Sequence, residues 1–231
     1  MKKYAVIVAG GNGTRMGSAV PKQFLQLKGK PVLWYTLETF LHAFDDLLII
    51  LVIPADFEAE GGKLIRQTTA PSRIRMVAGG ATRFHSVQNG LQHIKEGSVV
   101  FVHDGVRCLV TATLIRRCYQ QALEKGSAIP VVPVSDSMRI VEGEGTRPID
   151  RSSLLAVQTP QTFRSNIILP AFQQAYNEAF TDEATVAEAA GHKVFMIEGE
   201  KENIKITLPA DLVMAEHLLG SAYPGPPAGS N

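Results

Sequence analysis

The apolar run Tyr4-Ala5-Val6-Ile7-Val8 leads directly into Ala9-Gly10-Gly11-Asn12-Gly13-Thr14-Arg15-Met16-Gly17. Glycines let a chain turn tightly and bring its backbone N–H groups close to a ligand. Arg15 adds a planar, permanently charged donor, and Lys22, within Pro21-Lys22-Gln23, lies seven residues further on. Such a set is a local anion site, and phosphate is its natural guest. Two common phosphate motifs do not fit. A dinucleotide fingerprint needs a third glycine where Met16 stands, and a P-loop needs Ser or Thr where Pro31 follows Gly29-Lys30. Without Arg15 and Pro21-Lys22-Gln23, the glycines alone would read equally well as a plain strand–helix turn, and Lys22 as an exposed lysine at a helix start.

A second possible chemical position is Asp104, which follows the apolar segment Val99–Val102. A carboxylate at a strand's carboxyl end suits ribose or substrate hydroxyls, a metal, or the cap of a following helix. The sequence contains no Cys/His cluster with zinc spacing. Its two cysteines, Cys108 and Cys118, cannot build a disulfide framework, and Cys118 falls on the apolar side of a helical segment, where packing is expected.

These residues need a scaffold, and the pattern around them predicts an α/β one. Strands are expected at Tyr4–Ala9, Leu47–Ile53, Arg75–Val77, Val99–His103, Ala128–Val134 and Val194–Ile197. Several lack polar alternation, as parallel strands covered on both faces do. Between them, Leu33, Leu37, Phe40, Leu41 and Phe44 recur at helical spacing, as do Leu114, Ile115, Cys118 and Ala122 before a stop at Gly126. The expectation is one domain over residues 1–219, a three-layer sandwich around a mostly parallel twisted sheet. Ser137–Asp150 breaks the alternation and reads as a β-hairpin arm over about 137–150. It has too little apolar surface to stand alone and must lie against its own domain or another subunit. Residues 220–231, rich in Pro and Gly, are expected to be a disordered tail.

Composition narrows the partners. There are 23 Lys+Arg against 22 Asp+Glu, a formal charge of +1, which argues against a general nucleic-acid binder but not against one positive pocket. Leu47–Ile53, the most continuous apolar stretch, is far short of the roughly 20 residues of a membrane span. The start of the chain lacks the features of a signal peptide, and a cytoplasmic location is expected.

At this point the residues reach a resemblance. Ala9–Gly17 with Pro21-Lys22-Gln23-Phe24 resembles the signature of sugar-phosphate nucleotidyltransferases, and among them the cytidylyltransferases. Gly79-Gly80-Ala81-Thr82-Arg83 with Ser86, Val102–Arg107, Asp150-Arg151, Gln158-Thr159-Pro160-Gln161, Thr181–Ala184 and Asn203–Thr207 are similar to the 2-C-methyl-D-erythritol 4-phosphate cytidylyltransferase family. The resemblance spans about Lys3 to Leu219.

It implies an enzyme with a Rossmann-like nucleotidyltransferase fold that joins CTP to the methylerythritol phosphate and releases pyrophosphate, in non-mevalonate isoprenoid synthesis. Arg15 and Lys22 would be catalytic, flanking the α-phosphate and the departing pyrophosphate. Ala9, Gly10, Gly11, Gly13, Gly79, Gly80, Ser86 and Asp104 would bind CTP. Asp104, Arg107, Ser137, Arg151, Thr159, Thr181 and Lys205 would serve the second substrate, with Arg151 and Lys205 on its phosphate. Read without the resemblance, Gly79, Gly80 and Ser86 are also a turn and helix start, and Arg151 a solvated surface residue. Mg²⁺ or another divalent cation is implied, held mainly by the triphosphate. So is a homodimer whose arms cross between subunits. Ser137 replaces the family's threonine, keeping a hydroxyl but losing a methyl, and Cys108 stands where the family usually has proline. Rival readings are a ribitol 5-phosphate cytidylyltransferase, a molybdopterin guanylyltransferase and a catalytically silent nucleotide-binding module. The later blocks favour the erythritol family, and the presence of both Arg15 and Lys22 argues against silence.

Overall fold

Alternating burial on the two faces of one sheet organises the chain. In a computed structural model, residues 1–10 and 20–220 are described. The strands are β1 (Lys2–Val8), β2 (Gln26–Leu27), β3 (Lys30–Pro31), β4 (Leu47–Ile53), β5 (Ile74–Ala78), β6 (Ser98–Asp104), β7 (Ser127–Pro133), β8 (Met138–Glu142), β9 (Gly145–Ile149), β10 (Leu155–Val157), β11 (Gln161–Arg164) and β12 (Met196–Glu198). The helices are α1 (Val32–Ala43), α2 (Glu58–Arg66), α3 (Arg83–Leu91), α4 (Ala112–Lys125), α5 (Ser165–Ala171), α6 (Glu183–Ala189) and α7 (Pro209–Gly220).

Strand β1 lies between β4 and β6, parallel to both, and β5 pairs parallel with β4. On one face Ala5, Ile7, Ile49, Leu51 and Phe101 pack against α1 and α4 through Leu37, Phe40, Leu114 and Ile115. On the other, Tyr4, Val6, Ile50, Val52 and Val102 meet Phe84, Val87 and Leu91 of α3, with Ile168 and Val186 beyond them. This is the expected three-layer sandwich, its strands apolar on both faces because both faces are covered. Gly90 lets α3 sit close on the sheet: a Cβ there would lie 2.6 Å from Val6 Cγ1. Helix α4 is capped by Thr111, whose Oγ1 accepts from Leu114 N at 3.0 Å, and it stops at Gly126 with φ +94°.

The short pair β2–β3 and two strands of the main sheet were not expected from the sequence. β11 runs antiparallel between β6 and β7, and β10 pairs antiparallel with β7. The hairpin is present as β8 and β9, turning at Gly143 with φ +57°. It pairs only with itself among the described residues, leaving Val141 76% exposed. Cys108 and Cys118 are buried and free, and burial pushes both thiols up to about 12, consistent with packing. Among the described residues no helix is long and apolar enough to cross a membrane. Of the tail expected over 220–231, Gly220 instead ends α7, and residues 221–231 lie outside the described residues.

Candidate active site

From β1 the chain passes to β4 on one side, and β6 later adds on the other, so the connections diverge at the carboxyl end of β1. In parallel sheets that divergence opens a crevice for ligands. A cavity of about 300 Å³ is found there, lined by residues that include Ala9, Gly10, Lys22, Gly80, Arg83, Ser86, Asp104 and Lys205. Sequence positions nearly 200 apart therefore meet in one place. Gly11, Gly13 and Arg15 lie outside the described residues.

Lys22 is held by its neighbours. Pro21 enters in extended conformation, and a single 3₁₀ turn, Lys22–Phe24, follows. Gln23, fully buried, donates from Nε2 to the Ala9 carbonyl at 2.8 Å and so ties this turn to the end of β1. Phe24 packs on Phe57 with ring centroids 5.7 Å apart. Lys22 is thus presented to the cavity from a fixed turn, with its residue only 9% exposed. Gln23 Oε1 is buried without a hydrogen-bond partner among the described residues. Nothing in the run Pro21-Lys22-Gln23 alone singles out Gln23.

The opposite wall comes from Gly80, Ala81 and the start of α3. Thr82, not Ser86, caps the helix, which begins at Arg83. The turn-and-helix alternative holds for the backbone, with the helix starting three residues before Ser86, which lies in its first turn. Ser86 Oγ donates to Thr82 O at 3.0 Å and accepts from Gly80 N–H at 3.1 Å. A Cβ on Gly80 would fall 2.5 Å from His85 Cβ and 3.0 Å from its carbonyl carbon, so the loop folds this tightly only with glycine. Gly79 does not itself line the cavity, but its N–H donates to Ile53 O at 2.8 Å and fixes the loop to the end of β4.

Asp104 is the electrostatic centre. Its Oδ1 accepts from Arg83 Nε at 3.2 Å, its Oδ2 from Lys205 Nζ at 2.8 Å, and Arg107 Nε lies 3.7 Å from Oδ2. Burial alone would raise this carboxyl, but Arg83, Lys205 and Arg107 overcome it and hold the group well below the usual carboxylate range. The helix-cap alternative fails, because Thr111 caps α4. Arg83 also forks onto Glu183, a carboxylate with 1% of its side chain exposed, through Nη1 to Oε1 and Nη2 to Oε2. Burial raises the Glu183 carboxyl more than Arg83 lowers it. Sequence reasoning gave neither Arg83 nor Glu183 a role, although both stand inside segments it had singled out.

The remaining residues differ in placement. Arg107 lies behind Asp104 and donates to Asn203 O at 2.8 Å. Thr159 is buried, with its hydroxyl bonded to Asp104 N and to His103. Thr181 is exposed and precedes Asp182, the cap of α6. Ser137 and Arg151 are exposed at the foot of the arm, where Arg151 Nη1 donates to Ser135 O. None of these five lines the cavity. Among the described residues no group of three or more His, Cys, Asp or Glu is arranged to hold a metal.

The family model for 2-C-methyl-D-erythritol 4-phosphate cytidylyltransferase, IspD, matches residues 4–221. The protein of that name from Porphyromonas gingivalis ATCC 33277 is 48% identical over 221 residues, covering 95% of this chain and 99% of that one. Its namesake from Phocaeicola vulgatus is 44% identical over 220 residues, covering 95% and 100%. The crystal structure of 4-diphosphocytidyl-2C-methyl-D-erythritol synthase from Anaerococcus prevotii superposes with a TM-score of 0.80 at 27% identity, over 95% of this chain and 98% of that one. The 2-C-methyl-D-erythritol 4-phosphate cytidylyltransferase of Thermus thermophilus gives 0.73 at 31% identity, over 93% and 98%. On this evidence the chain belongs to the 2-C-methyl-D-erythritol 4-phosphate cytidylyltransferase family.

Proposed function

We propose that this chain transfers the cytidylyl group of CTP to 2-C-methyl-D-erythritol 4-phosphate, as a cytoplasmic step of isoprenoid synthesis. The observation that carries the reading is the convergence of Lys22, Arg83, Asp104 and Lys205 with Gly10 and Gly80 on one cavity. The attacking phosphate has a second pKa near 6, so at neutral pH it is largely a dianion and needs no general base. Its oxygen forms a bond to the α-phosphorus while the bond from that phosphorus to the α–β bridging oxygen breaks. Pyrophosphate leaves with the electron pair. The barrier is the approach of like charges, and positioned cations lower it.

Lys22 would face the α-phosphate and leaving pyrophosphate, a role shared with Arg15. Backbone groups of Ala9, Gly10, Gly79 and Gly80, with Ser86, would hold the nucleotide. Gly11 and Gly13 would extend that cradle. Asp104 would accept from hydroxyls, and Lys205 would meet the second substrate's phosphate, with Arg107, Thr159 and Thr181 around the polyol. A divalent cation, once bound, screens the triphosphate charge. Mg²⁺ commonly keeps waters and phosphates as ligands, so the triphosphate would hold it in the main, since the two oxygens of Asp104 are engaged by Arg83 and Lys205.

The arm supports a homodimer in which Ser137 and Arg151 complete the neighbour's site. Val141, Leu155 and Met138 are 76%, 51% and 40% exposed, an apolar surface on and beside a hairpin that pairs with no other strand among the described residues. Mixing Arg151→Ala with Lys22→Ala subunits is expected to restore part of the lost activity through hybrid sites; no rescue would refute sharing.

The reaction is tested by pyrophosphate release from CTP with methylerythritol phosphate and, in parallel, ribitol 5-phosphate. Release with the first and at most a trace with the second is expected. No release from CTP with methylerythritol phosphate would overturn the assignment.

A further inference from the structure

His103 is fully buried at the end of β6, its ring 5.0 Å from that of Phe40. Its two ring nitrogens have different partners. Nε2 lies 3.2 Å from the Arg107 carbonyl oxygen, and Nδ1 lies 3.0 Å from Thr159 Oγ1. A carbonyl only accepts, so Nε2 carries a proton. Burial without a carboxylate on the ring favours the neutral imidazole, consistent with burial pushing its pKa down to about 3. Nδ1 is then an acceptor, and the Thr159 hydroxyl donates to it. The same hydroxyl oxygen accepts from Asp104 N–H at 3.1 Å. Every bond in the chain has one direction: Asp104 N–H to Thr159, Thr159 O–H to His103 Nδ1, His103 Nε2–H to Arg107 O.

We infer that His103 is a positioning residue that holds Asp104 and Arg107 in register with Thr159. The chain continues on the far side. Thr159 O accepts from Asn203 Nδ2 at 2.8 Å, and Asn203 O accepts from Arg107 Nη1 at 2.8 Å. Three separate segments, carrying Asp104 and Arg107, Thr159, and Asn203 with Lys205 just beyond, are thereby referenced to one imidazole. Those segments carry the groups assigned above to the second substrate, so the kinetic consequence rests on that assignment. The tautomer does not.

Two measurements test this. In ¹⁵N-histidine-labelled protein at pH 7.5, the signal lost in His103→Phe is expected to show protonated Nε2 and unprotonated Nδ1. Protonation at Nδ1 would overturn the inference even in a fully active enzyme. In steady-state kinetics, Thr159→Val is expected to raise KM for the polyol phosphate about tenfold, the effect of orphaning buried partners. KM for CTP should change less than about threefold. Thr159→Ser should restore the parent value. Because Thr159 and His103 act in series, Thr159→Val/His103→Phe should cost little more than the worse single variant. Additive losses, or equal rises in both KM values, would refute positioning through this chain. If neither substrate reacts with the unaltered enzyme, the reaction assignment fails while the tautomer result still decides the role of His103.

Discussion

Replacing Lys22 with alanine is expected to lower kcat by about 10²-fold or more, the loss typical of removing one preorganised transition-state donor. The fold should survive. The turn that carries Lys22 is held by Pro21, the Gln23-to-Ala9 bond and the Phe24–Phe57 contact, none of which uses the ammonium. Asp211, whose carboxylate Lys22 helps to stabilise, still accepts from Thr207 N, Thr207 Oγ1 and Leu208 N. The melting temperature should therefore move little while turnover collapses. Because the charge matters most as negative oxygens crowd around phosphorus, KM for CTP should rise much less than kcat falls. Single-turnover product formation with saturating CTP checks this directly. Turnover within a few-fold of the parent would remove Lys22 from the chemistry.

The parts of this site that were legible in the sequence share a physical reason. Strands β1, β4 and β6 are buried on both faces, so their residue types announce them without reference to the rest of the chain. The glycine-rich run after β1 is local too, since tight turns write themselves into consecutive residues. β11 was illegible for the opposite reason. Gln161 and Thr162 look like loop residues, yet both are buried, and Gln161 is satisfied by Asp182 Oδ2 and Ala184 N from another part of the chain. Only the tertiary structure supplies those partners. α7 also escaped detection because its apolar residues are spread around the helix: Ala215 is buried while Val213 and Met214 are exposed.

The same division holds for chemistry. Lys22 and Asp104 were legible because each stands beside a recognisable strand end or turn. The Arg83–Glu183 pair spans 100 residues of sequence, and neither member explains the other until α3 and α6 are packed on one face of the sheet. His103 follows a strand's apolar run, Val99–Val102, and looks like a core histidine, which it is. Its role follows from the directions of its hydrogen bonds, and no sequence pattern records those. A formal charge of +1 for the whole chain conveys nothing of this arrangement either. Arg83, Arg107 and Lys205 face Asp104 while Glu183 pairs with Arg83 alone, and Lys22 on the same cavity adds to a local cationic excess that fits two anionic substrates.

That excess makes Asp104 the residue whose neutralisation should cost most. In Asp104→Asn the shape is nearly kept, but Arg83, Arg107 and Lys205 lose their shared counter-charge, with Arg107 Nε already lacking a hydrogen bond in the parent. Removing one member of a buried ionic cluster costs about 3 kcal/mol or more, because the others remain desolvated. Lys205, 40% exposed, can turn to water, so the penalty falls chiefly on the two arginines. Chemical denaturation at pH 7 should show the loss, with kcat/KM lowered about 10²-fold as the charged hydrogen bonds at the site disappear. The pH dependence separates charge from packing. The Asp104 carboxyl is depressed in the folded chain, so its contribution is fully present above the unfolded carboxylate value of about 4. It is lost as pH falls from there toward the lower folded value. The stability gap between parent and Asp104→Asn should therefore be widest near neutrality and shrink on acidification below about pH 4. A gap that stays constant through that range would mean that Asp104 acts by shape alone, and the electrostatic account of the site would have to be abandoned.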